Sequence, residues 1–103
     1  MAEKHFFDIL AEEAPTVRKV FTDYAETIKK DGGLDEKTYQ LIYIAIKASV
    51  GEPRAVAAHA AYAKKAGATR EEVRGAVIAT LMTHGVTGIS SCLGVALEAY
   101  DEA

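Results

Sequence analysis

The sequence predicts an all-α fold, a small antiparallel bundle of five or six helices. Three observations lead there. Half of the 103 residues are apolar, yet only two are proline and none is tryptophan. Alanine is abundant, and it combines the best helix propensity with a side chain small enough to let backbones approach. Apolar residues recur at three- and four-residue spacing, and no segment reads as a strand. A chain of this length fits one domain and buries roughly 60–65% of its unfolded surface, so its core is thin.

The elements follow in order. Phe6, Ile9 and Leu10 mark a short first helix. Pro15 opens a second, on which Val17, Val20, Phe21, Tyr24 and Ile28 form one apolar face opposite a charged one. Asp31-Gly32-Gly33 ends it, glycine supplying the left-handed conformation after a last turn. Asp35 is the N-cap of the third helix, with Leu34 and Tyr39 placed for a hydrophobic staple. LIYIAIKASV is apolar on nearly every side, which predicts burial on more than one face, and Gly51 stops it. The fourth helix has Pro53 in its first turn and ends at Gly67. Thr69 and Glu72 form a capping box for a fifth helix, which carries Val73, Val77, Ile78, Leu81 and Met82 and ends near Gly85. The sixth runs from about Ser90 to Tyr100, with Leu93, Ala96, Leu97 and Tyr100 on one face. Short links favour antiparallel neighbours. Helices three to five carry too little polar surface for so thin a bundle, which predicts self-association.

Formal net charge is −3 with no basic stripe, which argues against nucleic acid as a partner. No apolar run reaches the ~18–20 residues of a membrane span, so no membrane partner is expected. The stretch MAEKHFFDILAEEAP lacks the apolar core of a secretory leader. The single cysteine, Cys92, cannot form an intrachain disulfide. Together these features predict a soluble cytoplasmic protein.

His59 is the main candidate for chemistry. It sits in GEPRAVAAHAAYAKKAGAT, among Ala55, Ala58, Ala60, Tyr62 and Ala63. Partial burial disfavours the imidazolium and leaves a ring able to accept a proton near neutrality. The competing reading is a packed core histidine with one ring nitrogen hydrogen-bonded. Gln40, Tyr43 and Lys47 form a polar stripe at i, i+3 and i+7 of the third helix. Lys47 can attract a substrate carboxylate or simply snorkel at the bundle rim. Glu52 is placed as a general acid/base one to two turns from His59, or as a plain cap, and Arg54 follows it at the same helix start. His84 joins the candidate substrate-binding set of Gln40, Tyr43, Lys47 and Arg54, although a cationic ring also suits a helix C-terminus. His5, His59 and His84 have no metal-ligand spacing, so no metal is expected. Cys92 in GISSCLG reads as a reactive thiol or a buried inert one. That segment lacks the strand-turn-helix context of a serine-hydrolase elbow.

Leu34 to about Glu102, two-thirds of the chain, resembles the carboxymuconolactone decarboxylase / alkylhydroperoxidase-D-like family. The residues that carry the resemblance are L-D-E-K-T at 34–38, A-A-H at 57–59, K-A-G-A-T at 65–69 with Glu71-Glu72 after it, and A-L-E-A-Y-D-E at 96–102. The resemblance implies one family domain, with residues 1–33 as N-terminal helices and 34–103 as the family core. It also implies an all-helical bundle assembled as trimers or hexamers from dimeric units. The family's redox branch reduces peroxides with a C-x-x-C one turn before the histidine and a glutamate on the preceding helix. Here Glu52 and Ala55 occupy the cysteine positions and Gln40 the glutamate position, while His59 matches. The decarboxylase branch lacks those cysteines and keeps the histidine eight residues after a glycine, the spacing of Gly51 and His59. Its reaction removes carbon dioxide from a carboxylated lactone without a cofactor, although Glu52, Pro53 and Arg54 differ from the glutamate-rich loop of that branch.

The sequence thus predicts a homo-oligomeric decarboxylase-like lyase in which His59 transfers protons on a small carboxylated substrate. A non-catalytic oligomeric scaffold is the alternative. A further alternative is a thiol-dependent peroxidase acting through Cys92.

Overall fold

The computed structural model describes residues 5–103, which form α-helices and one π-helical turn, with no strand. The first four residues of the N-terminal stretch lie outside that range. The chain divides into two compact units at Gly33/Leu34.

The first unit holds α1 (Phe6–Glu13) and α2 (Pro15–Asp31). His5 caps α1, its Nδ1 accepting the Phe7 amide at 3.1 Å. The Phe7 and Phe21 rings meet at 5.4 Å between centroids, and the Arg18 guanidinium lies 4.4 Å from the Phe7 ring centre. Pro15 starts α2, and Gly33 supplies the left-handed backbone after it, at φ +78°. Neither helix buries a residue fully, and Val17, Val20, Phe21, Tyr24 and Ile28 keep the apolar face of α2 exposed.

The second unit contains α3 (Glu36–Ser49), α4 (Pro53–Lys65), α5 (Arg70–Ile78), α6 (Thr80–His84) and α7 (Gly94–Glu102). The helix α3 packs on α4 and α5, and α4 packs on α7. Its core is Ile44, Ala48, Val56, Ala60, Ala63, Ala68, Val73, Val77, Cys92 and Ala96. Alanine dominates, so the helices approach closely and Ile44, Val56, Val73 and Val77 supply most of the buried volume. Complete burial of each such side chain stabilises the fold by about 1.5–3 kcal/mol.

Local chemistry explains most boundaries. The Asp35 carboxylate accepts the Thr38 amide at 2.7 Å and starts α3. After α4, Gly67 at φ +98° allows the Gly67 amide to reach the Lys64 carbonyl at 3.0 Å and the Ala68 amide to reach that of Ala63 at 2.9 Å. This is a Schellman ending, and it buries Ala68 near Ala63. Thr69 and Glu72 form the expected capping box, with reciprocal bonds of 3.1 and 2.9 Å. The end of α7 is tied down from α4 and α5. Lys64 Nζ donates to the carbonyls of Tyr100 (3.1 Å) and Ala103 (3.0 Å), and Arg70 grips Asp101 through two bonds of 2.8 and 3.2 Å. Tyr100 Oη donates to the Ala68 carbonyl at 2.8 Å.

Four expectations change. The helix predicted from Thr69 to Gly85 is interrupted at Ala79. There the buried Thr80 hydroxyl turns back onto the Val77 carbonyl at 2.7 Å. Met82, expected on the core face, is 90% exposed. The last helical stretch starts at Thr87 rather than Ser90, and Ile89–Leu93 forms a π turn that runs into α7. Gly88 permits the earlier start, since a Cβ there would lie 2.5 Å from Thr80 Oγ1 and 3.0 Å from the Ala48 carbonyl. Within one chain α3 buries a single face, Gln40, Ile44 and Ala48, and leaves Ile42, Ile46 and Val50 exposed.

Candidate functional site

Residues three and four apart share a face of a helix. Glu36, Gln40, Tyr43 and Lys47 therefore run as one stripe along α3, and His59 and Tyr62 sit one turn apart on α4. The packing of α3 on α4 brings the two sets together.

Gln40 is almost completely buried, 3% exposed. Its Oε1 lies 2.6 Å from His59 Nδ1, and its Nε2 donates to Glu36 Oε1 at 2.9 Å. A buried amide left unbonded would cost about 1–3 kcal/mol, and here both ends are engaged. The His59 ring is half-buried and stacks on Tyr43, with centroids 3.6 Å apart and planes 16° from parallel. Tyr62 meets the same ring edge-on at 5.0 Å and 81°. Amide, phenol face and phenol edge together fix the position and tilt of the imidazole.

Lys47 continues the stripe, its Nζ 6.0 Å from the Tyr43 ring centre. It pairs with Glu52 at 3.1 Å, both side chains partly open to solvent. Glu52 occupies the N-cap position of α4 but makes no capping bond with its side chain; the carboxylate turns to Lys47 instead. Its engagement therefore differs from that of a plain cap. Arg54 is exposed on the first turn of α4. His84 is exposed in the last turn of α6, the bland position that its sequence context suggested, and belongs to a different element from the α3–α4 pair.

Cys92 is fully buried within its own chain, in the π turn, with Ser91 Oγ 3.3 Å from its sulfur. Among the described residues no group of three or more His, Cys, Asp or Glu side chains is placed to hold a metal ion, and no helix is long and apolar enough to cross a membrane. The participant that sequence reasoning missed is Glu36. An acidic residue in the first turn of a helix reads as a complement to the helix dipole. Its i,i+4 spacing to Gln40 was the available signal.

Fold and site together describe a small all-α protein whose polar centre is a helix-borne histidine held by an amide. The model of the carboxymuconolactone decarboxylase family matches residues 15–98, and the chain belongs to that family. The match begins at the first residue of α2, ahead of the resemblance read from Leu34 onward. No curated protein and no solved structure matches the chain.

Proposed function

We propose that the protein is a cofactor-free, decarboxylase-like enzyme acting on a small carboxylated substrate, with His59 as its proton-transfer group. The observation that carries this reading is the anchoring of His59 Nδ1 by the buried Gln40 amide. With Nδ1 held by Gln40 at 2.6 Å, the ring is oriented by one edge and Nε2 is the nitrogen assigned to exchange protons.

The reaction balances simply. The bond between the carboxylate carbon and its neighbour breaks, carbon dioxide leaves, and the electron pair stays on the substrate as an enolate. Nε2 takes a proton from solvent and delivers it to that carbon, returning the ring to neutrality. The Lys47 ammonium, positioned by Glu52, attracts the substrate carboxylate and then offsets the enolate charge. Tyr43 lines the approach, Gln40 orients the ring from the buried side, and Arg54 and His84 are assigned to the outer rim. The dithiol route of the family's redox branch has no thiols here, because positions 52 and 55 hold Glu and Ala. Burial of Cys92 argues against the thiol alternative as well.

The test is release of carbon dioxide from a panel of carboxylated lactones by wild type and His59→Gln. Release by wild type alone supports the reading; no release by wild type, or equal release by both, rejects it. A second reading, a self-associating scaffold, draws support from the exposed apolar faces of α2 and α3. It predicts assembly without turnover.

A further inference from the structure

We propose that Glu36 is a positioning residue that decides which nitrogen of His59 carries the proton in the neutral ring. The proposal rests on the reading of His59 as the proton-transfer group. It concerns a residue that never meets the substrate and acts through Gln40.

A primary amide has two orientations of nearly the same shape, related by a half-turn. In one, the NH2 group of Gln40 faces Glu36 and the carbonyl oxygen faces His59. In the other the two are exchanged. The Glu36 carboxylate only accepts hydrogen bonds, so it takes the NH2 end, at 2.9 Å. The exchanged orientation would set a carbonyl oxygen against a carboxylate oxygen. Gln40 is too deeply buried, at 3% exposed, for water to relieve that clash.

The consequence passes to the ring. Gln40 Oε1 is an acceptor with Nδ1 2.6 Å away, so Nδ1 must donate. In the neutral imidazole the proton then sits on Nδ1 and the lone pair on Nε2. Without direction from Glu36 the amide can turn, present its NH2 to Nδ1, and leave the proton on Nε2, where the ring can no longer accept one. The contacts of the ring with Tyr43 and Tyr62 are ring against ring and fix tilt rather than tautomer. Glu36, at the exposed start of α3, thus holds the far end of the Gln40 amide.

Nitrogen-15 NMR of protein labelled at histidine, recorded where the His59 ring is neutral, tests this. Wild type is expected to show the proton on Nδ1. Glu36→Gln presents either a donor or an acceptor and is expected to give a mixture. Glu36→Lys can only donate, so it should turn the amide and move the proton to Nε2. Helix content by circular dichroism confirms that each variant is folded; should Glu36→Lys fail to fold, Glu36→Gln decides alone. A proton on Nε2 in wild type, or an unchanged tautomer in the folded variants, overturns the proposal. The readout needs no turnover, so it separates from the proposed activity. A protein that releases no carbon dioxide but shows the tautomer shift keeps this inference and loses the other.

Discussion

The imidazole of His59 lies face to face with the phenol ring of Tyr43, with centroids 3.6 Å apart and planes 16° from parallel. The two residues come from different helices, so the stack helps join α4 to α3 as well as orienting the ring. An aromatic pair of this kind is worth about 0.5–1.5 kcal/mol beyond its buried area. Tyr43→Phe keeps the ring and should leave the melting temperature close to wild type, whereas Tyr43→Ala should lower it. If the phenol serves only to hold His59, Tyr43→Phe also keeps any turnover. Thermal melts and carbon dioxide release on both variants check this, and a Phe variant as damaged as the Ala variant would show that the hydroxyl matters.

His59→Gln should preserve the fold and abolish turnover. The new amide can donate to Gln40 Oε1 in place of Nδ1, so the buried glutamine keeps its partner. An amide cannot shuttle protons at neutral pH, and loss of a general acid–base group costs typically ~10²–10⁴ in rate. A structural histidine predicts the reverse pattern, a lower melting temperature with turnover intact. Both quantities measured on the same variant decide between them.

The sequence made local features legible and hid those that depend on a partner far along the chain. The Asp35 cap, the Thr69–Glu72 box and the Gly67 ending are written within five residues, because their bonds close within one turn. The stripe of Gln40, Tyr43 and Lys47 was readable from helical spacing. The closeness of His59 to Gln40 was legible only through the family resemblance, which sets Gln40 at the glutamate position; spacing does not record it, because the pair spans nineteen positions and depends on how α3 meets α4. Glu52 was read as an acid/base candidate or a cap at the start of α4, and its ion pair with Lys47 was not legible because it joins the ends of two helices. The break at Ala79 and the π turn were hidden for the same reason. They arise where Gly88 fits against Thr80 and Ala48, a contact between three helical segments that no local pattern records.

Lys47→Met should leave stability nearly unchanged and depress turnover. Its ion pair with Glu52 is partly exposed, and such pairs contribute roughly 0–1 kcal/mol. A charged hydrogen bond to a substrate carboxylate is worth about 1.5–3 kcal/mol, which corresponds to a loss of roughly tenfold or more. Glu52→Gln should cause a smaller loss, since it removes only the group that steadies the ammonium. Steady-state kinetics on both variants test the order, and a Glu52→Gln defect exceeding that of Lys47→Met would restore Glu52 to a direct part in the chemistry.

The capping box should shape the acid limb of stability. The Glu72 carboxyl is held below its ordinary value of 4.5, first by the Thr69 amide and then by Lys37 at 3.1 Å. A carboxyl depressed in the folded state contributes stability that is present above its unfolded value and is lost as pH falls through the folded one. Melting temperature should therefore fall as pH drops below about 4.5 in wild type and fall less steeply in Glu72→Gln, which keeps the cap but not the charge. Thr69→Ala should cost about 1 kcal/mol at neutral pH, because the N-cap bond itself is lost. Melts from pH 6 down to 3 separate the two effects.

Assembly follows from what a single chain leaves uncovered. Ile42, Ile46 and Val50 recur every four residues along the outer face of α3 and are 43%, 59% and 57% exposed. Full burial of a Val or Ile side chain gains about 1.5–3 kcal/mol, and roughly half of that is still to be gained at each of these half-exposed positions, which favours covering the stripe with a second copy. The face opposite holds Gln40, Ile44 and Ala48, so this stripe adds nothing to the chain's own core. The expected particle is a trimer or hexamer of the 11.0 kDa chain. Ile46→Glu should dissociate it, since an interface that buries an unpaired carboxylate forfeits more than the lost apolar contact supplies. The variant should also remain helical, because Ile46 lies outside the core cluster. Light scattering across a wide dilution range gives the answer. Wild type at 11 kDa throughout removes the prediction, and an Ile46→Glu particle of unchanged mass moves the interface to another face.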